Sequence, residues 1–464
     1  MRVGLRGGFS VLLGVLVLAV GAALALGQVS GGHRHRPWGG SVAGASVAPV
    51  RFVPGSASAA GRDAQLLSTD AAALGLGARA FAVDDGLGPP SWVRPGTRLT
   101  FYSAAASVAQ SRFAWVEDPN GPWEDPATGT HYRRTDETGE SMGSASGDGV
   151  GQIDVQAVRG ADVALSLTLY GIDHEHHVFV PGSTTGATLP GAEIDGLWVN
   201  PARLAQLQDV RANGVLVLRG EYPLGGKTYQ AISFAVTTPG AYQQYTYDTE
   251  SGVLLSSTSS TAGAASPVSA PGEGPAQGNT QLTVSFFAGV RQRTVPGADG
   301  VNPDWLGRTS RLDYGGTYYW ANPVDPSSGT FTSPMTMGIS LKPGGGSWAS
   351  YAAQTAIQGL GSSTGSGVTG PSGLYWLSRS ALTALARATP GQVLDQDPIT
   401  GEQLVVRDLG RDPATGRTLL TLDSRMPGIT TRAGYDTTTG VLSSYAAQVP
   451  GSGTIIDLHL QGGP

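Results

Sequence analysis

The chain contains no cysteine in 464 residues. That excludes disulfide staples, thiolate metal sites and a lipidated cysteine behind an export signal. A protein of this kind must be held by its cores alone, which a chain of this length can do. Charge is also scarce. Asp, Glu, Lys and Arg together make 14% of the residues, and the formal net charge is −6. Nucleic-acid binders carry a basic footprint, and this sequence has none. Aromatic residues are few, at 7%, and the only long uninterrupted apolar run lies at the N-terminus.

Glycine, by contrast, is abundant. The 69 Gly and 30 Pro, beside 40% hydrophobic residues, point to turn-dense β structure with real cores rather than to helical bundles. The length suits two or three domains.

At the N-terminus, Arg2 and Arg6 precede an apolar run from Phe9 to Leu26 that ends in small residues. This pattern describes residues 1–27 as a secretory signal peptide, or as a retained N-terminal anchor because the run nearly suffices to span a bilayer. The expected location is therefore exported: periplasmic, extracellular, or membrane-anchored and facing outward. Membrane association is expected only through this segment, and only if it is not cleaved. Residues 28–60, rich in Gly, Ala, Ser and Pro, read as a flexible spacer.

The rest of the chain is internally duplicated. Trp92-Val93 with Arg98-Leu99 matches Trp305-Leu306 with Arg311-Leu312, and Trp198 with Leu204 and Leu207 matches Trp376 with Leu382 and Leu385. The longest match starts at Leu216–Arg219 against Leu404–Arg407. It closes with Tyr247-Asp248-Thr249 through Leu254 on Tyr435-Asp436-Thr437 through Leu442. Anchors in one order predict two tandem homologous domains, at 61–296 and 297–464. The return strand Thr280–Phe286 corresponds to Thr454–Leu460, which makes 256–278 an expanded hairpin loop inside domain one.

Turn chemistry supplies the local elements. Asp-Pro-x-(Thr/Ser)-Gly recurs at Asp125–Gly129, Asp325–Gly329, Asp397–Gly401 and Asp412–Gly416, with looser versions at Asp248–Gly252 and Asp436–Gly440. Asp accepts local backbone bonds, Pro presets φ, and Gly takes a left-handed position. Flanking alternation, as in Tyr229–Val236, is the period of a half-buried strand. Asn200-Pro201 and Ser378 each start a short helix. The expected fold is mainly β, of α+β type. Each domain is expected to be a curved antiparallel sheet with one short helix, and the helix to be followed by a meander of about five strands.

That element order, with the Tyr-Asp-x-x-(Thr/Ser)-Gly-x-Leu hairpin, resembles the half-barrel lipoprotein carriers and sensors of bacterial envelopes. The resemblance covers roughly the last third of each half. It implies a shape and transfers no functional residue.

Several strings could carry chemistry. In Asp173-His174-Glu175-His176-His177, a strand would project His174 and His176 from one face, where a His-x-His pair can chelate a divalent metal, with His131 or Glu175 as a third ligand. The competing reading is an exposed polar strand end. The acidic stretches Glu117-Asp118 and Glu124-Asp125 could ligate calcium, but lack regular ligand spacing. Two Gly-x-Ser-x-Gly strings, at Gly139–Gly143 and Gly361–Gly365, lie in polar Gly/Ser surroundings and read as compositional. Gly220 to Thr228 misses the phosphate-loop spacing and falls between strand signals. The duplicated tryptophans read as core.

The expectation is therefore an exported binding or structural protein of the cell envelope rather than an enzyme, holding an apolar ligand or an envelope partner segment between sheet and helix, with no obligatory cofactor. The alternatives are a metal-dependent hydrolase centred on His174 and His176, and a ligand-free scaffold module.

Overall fold

The computed structural model describes residues 87–464, apart from 122, 125–127, 136–140, 175, 195–196, 213, 239–240, 263–275, 299, 322–328, 345, 372, 413–414, 451–452 and 463. The expected signal or anchor, 1–27, and the spacer, 28–60, lie outside the described residues. Among the described residues no helix is long and apolar enough to cross a membrane.

The chain is mainly β. Its first half contains β1 (Thr97–Glu117), the two-residue β2 (Trp123–Glu124), β3 (His131–Thr135), β4 (Ser141–Arg159), β5 (Asp162–Asp173), β6 (Val178–Pro190), and the short β7 (Glu193–Ile194) and β8 (Trp198–Val199). Helix α1 (Pro201–Gln206) follows, then β9 (Val210–Ala212), β10 (Val215–Leu224), β11 (Lys227–Thr238), β12 (Ala241–Asp248), β13 (Leu254–Ala262) and β14 (Ala276–Gln292). After a 3-10 turn at Asp304–Gly307, the second half contains β15 (Arg311–Ala321), β16 (Thr330–Pro343), β17 (Ala349–Ile357), β18 (Gly361–Thr369) and α2 (Arg379–Leu385). It ends with β19 (Val393–Gln396), β20 (Gln403–Arg411), β21 (Thr418–Met426), β22 (Ile429–Asp436), β23 (Leu442–Val449) and β24 (Thr454–Gly462).

The duplication is written in the strand order. One sheet runs β6-β5-β4-β1-β14-β13-β12-β11-β10-β9, with β2 and β3 attached to its β1; the other runs β18-β17-β16-β15-β24-β23-β22-β21-β20-β19. Position by position these are one topology. The first and last strands of each half, β1 with β14 and β15 with β24, lie side by side at the middle of the sheet. The strands after each helix number six rather than about five, because the short β9 and β19 add an edge strand to each meander. Residues 256–262 and 276–278, expected as loop, are ladder: Ser256 pairs with Phe286 and Ala262 with Thr280. The Ser/Thr-rich run fits a pleated surface whose pairing positions are set by its neighbour.

Five of the six recurring Asp…Gly strings place the glycine in the left-handed region; Gly329 is the exception, and 125–127 and 325–328 lie outside the described residues. Gly129, Gly252, Gly401, Gly416 and Gly440 all adopt φ between 66° and 75°. Asp436 Oδ1 accepts from the backbone N–H groups of Thr438 and Thr439, at 2.7 and 3.1 Å. In each half the Tyr-Asp turn clasps the segment that carries a fully buried tryptophan. Val199 N donates to Gly252 O and Leu377 N to Gly440 O, both at 2.9 Å, and isolated bridges pair Trp198 with Val253 and Trp376 with Val441. Burying a tryptophan on this scale stabilises by about 3–5 kcal/mol, judged by truncation. The matched anchors therefore recur because each half builds the same clasp around its core.

Packing divides the chain differently from pairing. One compact unit comprises, among the described residues, 103–148 and 195–286; the other comprises 87–102, 149–194 and 287–464. In the first unit, α1 is capped by Asn200, whose side chain accepts from Ala202 N at 2.9 Å, with Pro201 at the first helical position and Leu204 fully buried. In the second, Ser378 Oγ caps α2 by accepting from Ala381 N at 3.2 Å. There Ala381 and Leu385 enter a core with Trp305, Trp376, Leu420, Leu422 and Tyr435, while Leu382 is only partly buried. The buried stripe of α2 is thus Ala381 and Leu385. Segments of both halves share the second unit: β6 lies against β18, and Ala157, Ala164 and Val368 make a small core of their own.

Candidate functional site

The second unit contains a groove of about 1000 Å³ between α2 and the sheet. One wall is α2, through Arg379, Leu382, Thr383 and Leu385; another is the segment around the 3-10 turn, including Trp305 and Arg308. Leu409 of β20, Thr418 and Leu420 of β21, and the turn at Thr437–Thr439 complete the lining, with Pro464 at its edge. The deep residues are apolar: Trp305, Leu385 and Leu420 are buried core members. Trp305 is fixed there by its Nε1–H bond to Thr439 O, 2.8 Å, and by an edge-to-face contact with Trp376 at 6.2 Å. Toward solvent the lining stays apolar at Val301 and Leu409, which are 70% and 47% exposed. Scattered exposed aliphatics are ordinary; these two adjoin the apolar concavity and carry its lining out to the surface.

A second feature of this unit is a buried charge network that sequence reasoning did not anticipate. Arg98, on β1, makes a bidentate pair with Asp154 of β4, Nε to Oδ1 at 2.6 Å and Nη2 to Oδ2 at 2.8 Å. Its Nη1 also bonds Glu402, 304 positions further along the chain, and lies 3.6 Å from Asp397. Arg291 forks onto Asp395 at 2.6 and 2.8 Å, Arg293 reaches Asp154 at 3.3 Å, and Gln152 donates to Asp397 at 3.2 Å. Three guanidiniums thus meet four carboxylates. A signal was present: Arg291-x-Arg293 and Asp395-x-Asp397 place like charges on one face of a strand, where burial demands a partner.

Electrostatics show what this network does. Burial alone would push Asp154 and Glu402 up, but the Arg98 and Arg293 guanidiniums outweigh it and hold both below the usual carboxylate range. Asp395 is likewise lowered, burial being overcome by the Arg291 fork and the Thr294 N–H. For Arg98 burial again opposes, and Asp154 and Glu402 prevail, raising it well above its ordinary value. A general acid working near neutrality needs a raised carboxyl pKa. These groups are locked in the opposite state, and the network acts as an internal weld between β1, β4, the end of β14 and the β19–β20 turn.

The sequence-predicted sites fall as follows. His174 and His176 are exposed and sit in the turn between β5 and β6, not on a strand, so the same-face chelation geometry expected of them is absent. The turn forms because the Asp173 carboxylate holds it: Oδ1 accepts from His176 N at 3.1 Å, and Oδ2 lies 2.8 Å from His176 Nδ1. His177 takes φ 56°. Glu175 lies outside the described residues. His131, on β3, has its Nδ1 2.9 Å from Gly121 O. Among the described residues no group of three or more His, Cys, Asp or Glu is arranged to hold a metal ion.

In the acidic stretch Asp118 pairs with Arg133 at 2.9 Å, while Asp125 lies outside the described residues. Gly361–Gly365 opens β18 and Ser141 opens β4, so neither Gly-x-Ser-x-Gly string makes a strand-to-helix elbow. Gly225 and Gly226, φ 59° and 80°, form the tight turn of the β10–β11 hairpin where the phosphate-loop near miss lies.

No family model and no curated protein matches this chain. Among solved structures, the chain matches the Pseudomonas aeruginosa protein OccK2 (OpdF), solved in complex with glucuronate, at 8% identity. The match covers 78% of this chain and 96% of that one, with a TM-score of 0.10. A score of that size carries no argument about this chain's fold or function.

Proposed function

We propose that this chain is an exported, non-enzymatic binding protein of the cell envelope, and that its second unit holds an apolar or amphipathic ligand between α2 and the sheet. The observation that carries the reading is the groove itself: about 1000 Å³, floored by Trp305, Leu385 and Leu420 and flanked by exposed Val301 and Leu409. Its volume stands at the upper end of the roughly 300–1,000 Å³ of small-molecule sites. The carboxylates with a resolved shift, Asp154, Asp395, Glu402 and Asp423, are all lowered by arginine neighbours, which suits welding and not acid catalysis. The N-terminal pattern of Arg2, Arg6 and the apolar run 9–26 supports export.

The test is lipid extraction and native mass spectrometry of the full chain purified from an envelope fraction, beside Leu409→Asp. That substitution puts a charge at an exposed position of the groove without touching the core. Bound apolar material in the parent and its loss in the variant are expected. A parent that carries none, and that takes up no apolar fluorescent probe, would refute the reading.

A further inference from the structure

Asp423 of β21 is covered by arginines from three neighbouring strands. Arg407 of β20 donates to it through Nη1 at 3.2 Å, Arg425 of β21 through Nη2 at 2.9 Å, and Arg432 of β22 through Nε at 3.1 Å. The carboxylate is buried, while the three arginine side chains are 43%, 52% and 42% exposed. One guanidinium is enough for a buried carboxylate: in the weld Arg98 forks onto both oxygens of Asp154, and Arg291 onto both of Asp395. Around Asp423 three guanidiniums make one bond each, two of them to the same oxygen, Oδ2. The cluster therefore carries a surplus of two positive charges, with N–H donors to spare on every arginine. The neighbouring Asp408 is exposed and takes part in none of these ion pairs.

The duplication supplies an internal comparison. Ala235, Thr237 and Gln244 stand where the second half has Asp423, Arg425 and Arg432, and Ala235 faces Gln244 across β11 and β12 as Asp423 faces Arg432 across β21 and β22. The same ladder thus closes without a charge at any of the three positions, so the sheet does not require the cluster. The β10–β11 pairing is also continuous, whereas β20–β21 shifts register between Val406 and Asp408, skipping Arg407. A bulge of that kind re-aims a side chain. Side chains alternate along β21, which puts the cluster on the sheet face opposite core residue Leu422 and groove-lining Leu420, separate from the groove. We infer that Arg407, Arg425 and Arg432, held in place by Asp423, bind the dianionic phosphate of a phosphomonoester, carried on a lipid headgroup or on a soluble molecule. A phosphomonoester brings about two negative charges and several strong acceptor oxygens, which match the surplus. A carboxylate would leave part of it uncompensated.

The test is calorimetric titration of the full chain with inorganic phosphate, glycerol phosphate and acetate at low ionic strength, beside cosedimentation with phosphatidylcholine vesicles containing or lacking phosphatidate. The variants are Arg425→Gln, the double substitution Arg425→Gln/Arg432→Gln, and Arg159→Gln as a control at an exposed arginine outside the cluster. Arg407 stays on Asp423 in both cluster variants, so the buried carboxylate keeps a partner, and the melting temperature checks the fold. The phosphate ligands are expected to bind more tightly than acetate and to lose about tenfold or more in affinity in the double variant, with the single variant between. Arg159→Gln should leave them unchanged, and added salt should weaken them. Glycerol phosphate bound in preference to phosphatidate vesicles would support a soluble ligand, and the reverse order a lipid headgroup. Equal affinity for acetate would overturn the dianion. Binding that survives the double variant, or that falls equally with Arg159→Gln, would overturn the cluster as the site. No binding of any phosphate would reduce the three arginines to a structural cap on Asp423.

Discussion

Replacing Arg98 by Met keeps the length and apolar stem of the side chain and deletes the charge on which the weld turns. Arg98 is 4% exposed, and it satisfies both oxygens of Asp154 and one of Glu402 while standing 3.6 Å from Asp397. Without it Glu402 keeps Ser424 Oγ at 2.9 Å, and Asp154 keeps Arg293 at 3.3 Å. Two buried carboxylates are then left with weaker compensation. Removing one partner of such a buried pair costs about 3–5 kcal/mol. The assay is urea unfolding followed by Trp fluorescence, at pH 7 and at pH 3. Sign follows from the lowered carboxylates: their contribution is present above the unfolded values of about 3.9 and 4.3, and is lost as pH falls through the folded ones. The Arg98 contribution, from a raised pKa, is lost only at extreme alkalinity. Parent and variant should therefore differ strongly at pH 7 and converge toward pH 3. A difference below about 1 kcal/mol at pH 7, or one that grows on acidification, would refute the weld.

The remaining predictions concern turns, tyrosines and the groove. Gly440→Ala forces a left-handed alanine, φ 74°, whose Cβ would meet Leu377 O at 2.3 Å. Gly416→Ala carries the same backbone penalty, about 1–2 kcal/mol, with its nearest contact at 3.4 Å. Thermal melts should rank Gly440→Ala as clearly the worse, and equal losses would count against the clasp. Burial raises the Tyr445 phenol to about 12, and raises Tyr314, Tyr375 and Tyr435 as well. These groups stabilise the fold below the unfolded tyrosine pKa of about 10, and that contribution is lost as pH rises through the folded values. In an alkaline titration at 295 nm they should ionise together with unfolding; smooth, early titration of every tyrosine would contradict their burial. Leu409→Asp should abolish uptake of apolar material at unchanged melting temperature, and an unchanged lipid content would move the ligand elsewhere.

Much of the architecture was legible in the residues themselves, because local chemistry dictates it. Asp…Gly turns with left-handed glycines, alternation along Tyr229–Val236 and the caps Asn200 and Ser378 act within a few residues, so they announce hairpins and helices directly. The repeated Trp and Tyr-Asp anchors revealed the duplication, since each half needs the same clasp and the strand order is the same in both. Long-range partners are another matter. Arg98 and Arg311 occupy matched positions, yet one is buried in the weld while the other lies exposed against Asp313. Nothing within a few residues of either distinguishes them. His174 and His176 spell a chelating pair only on a strand, and the Asp173 carboxylate turns them into a loop. The groove joins a 3-10 turn, a seven-residue helix, two strands and a hairpin turn drawn from residues 301–464. Local pattern therefore determined the elements and their repetition, through forces that act over a turn or a strand. The burial of Arg98 and the opening beside Arg308 and Arg379 depend on which distant segments meet, and only the tertiary structure decided that.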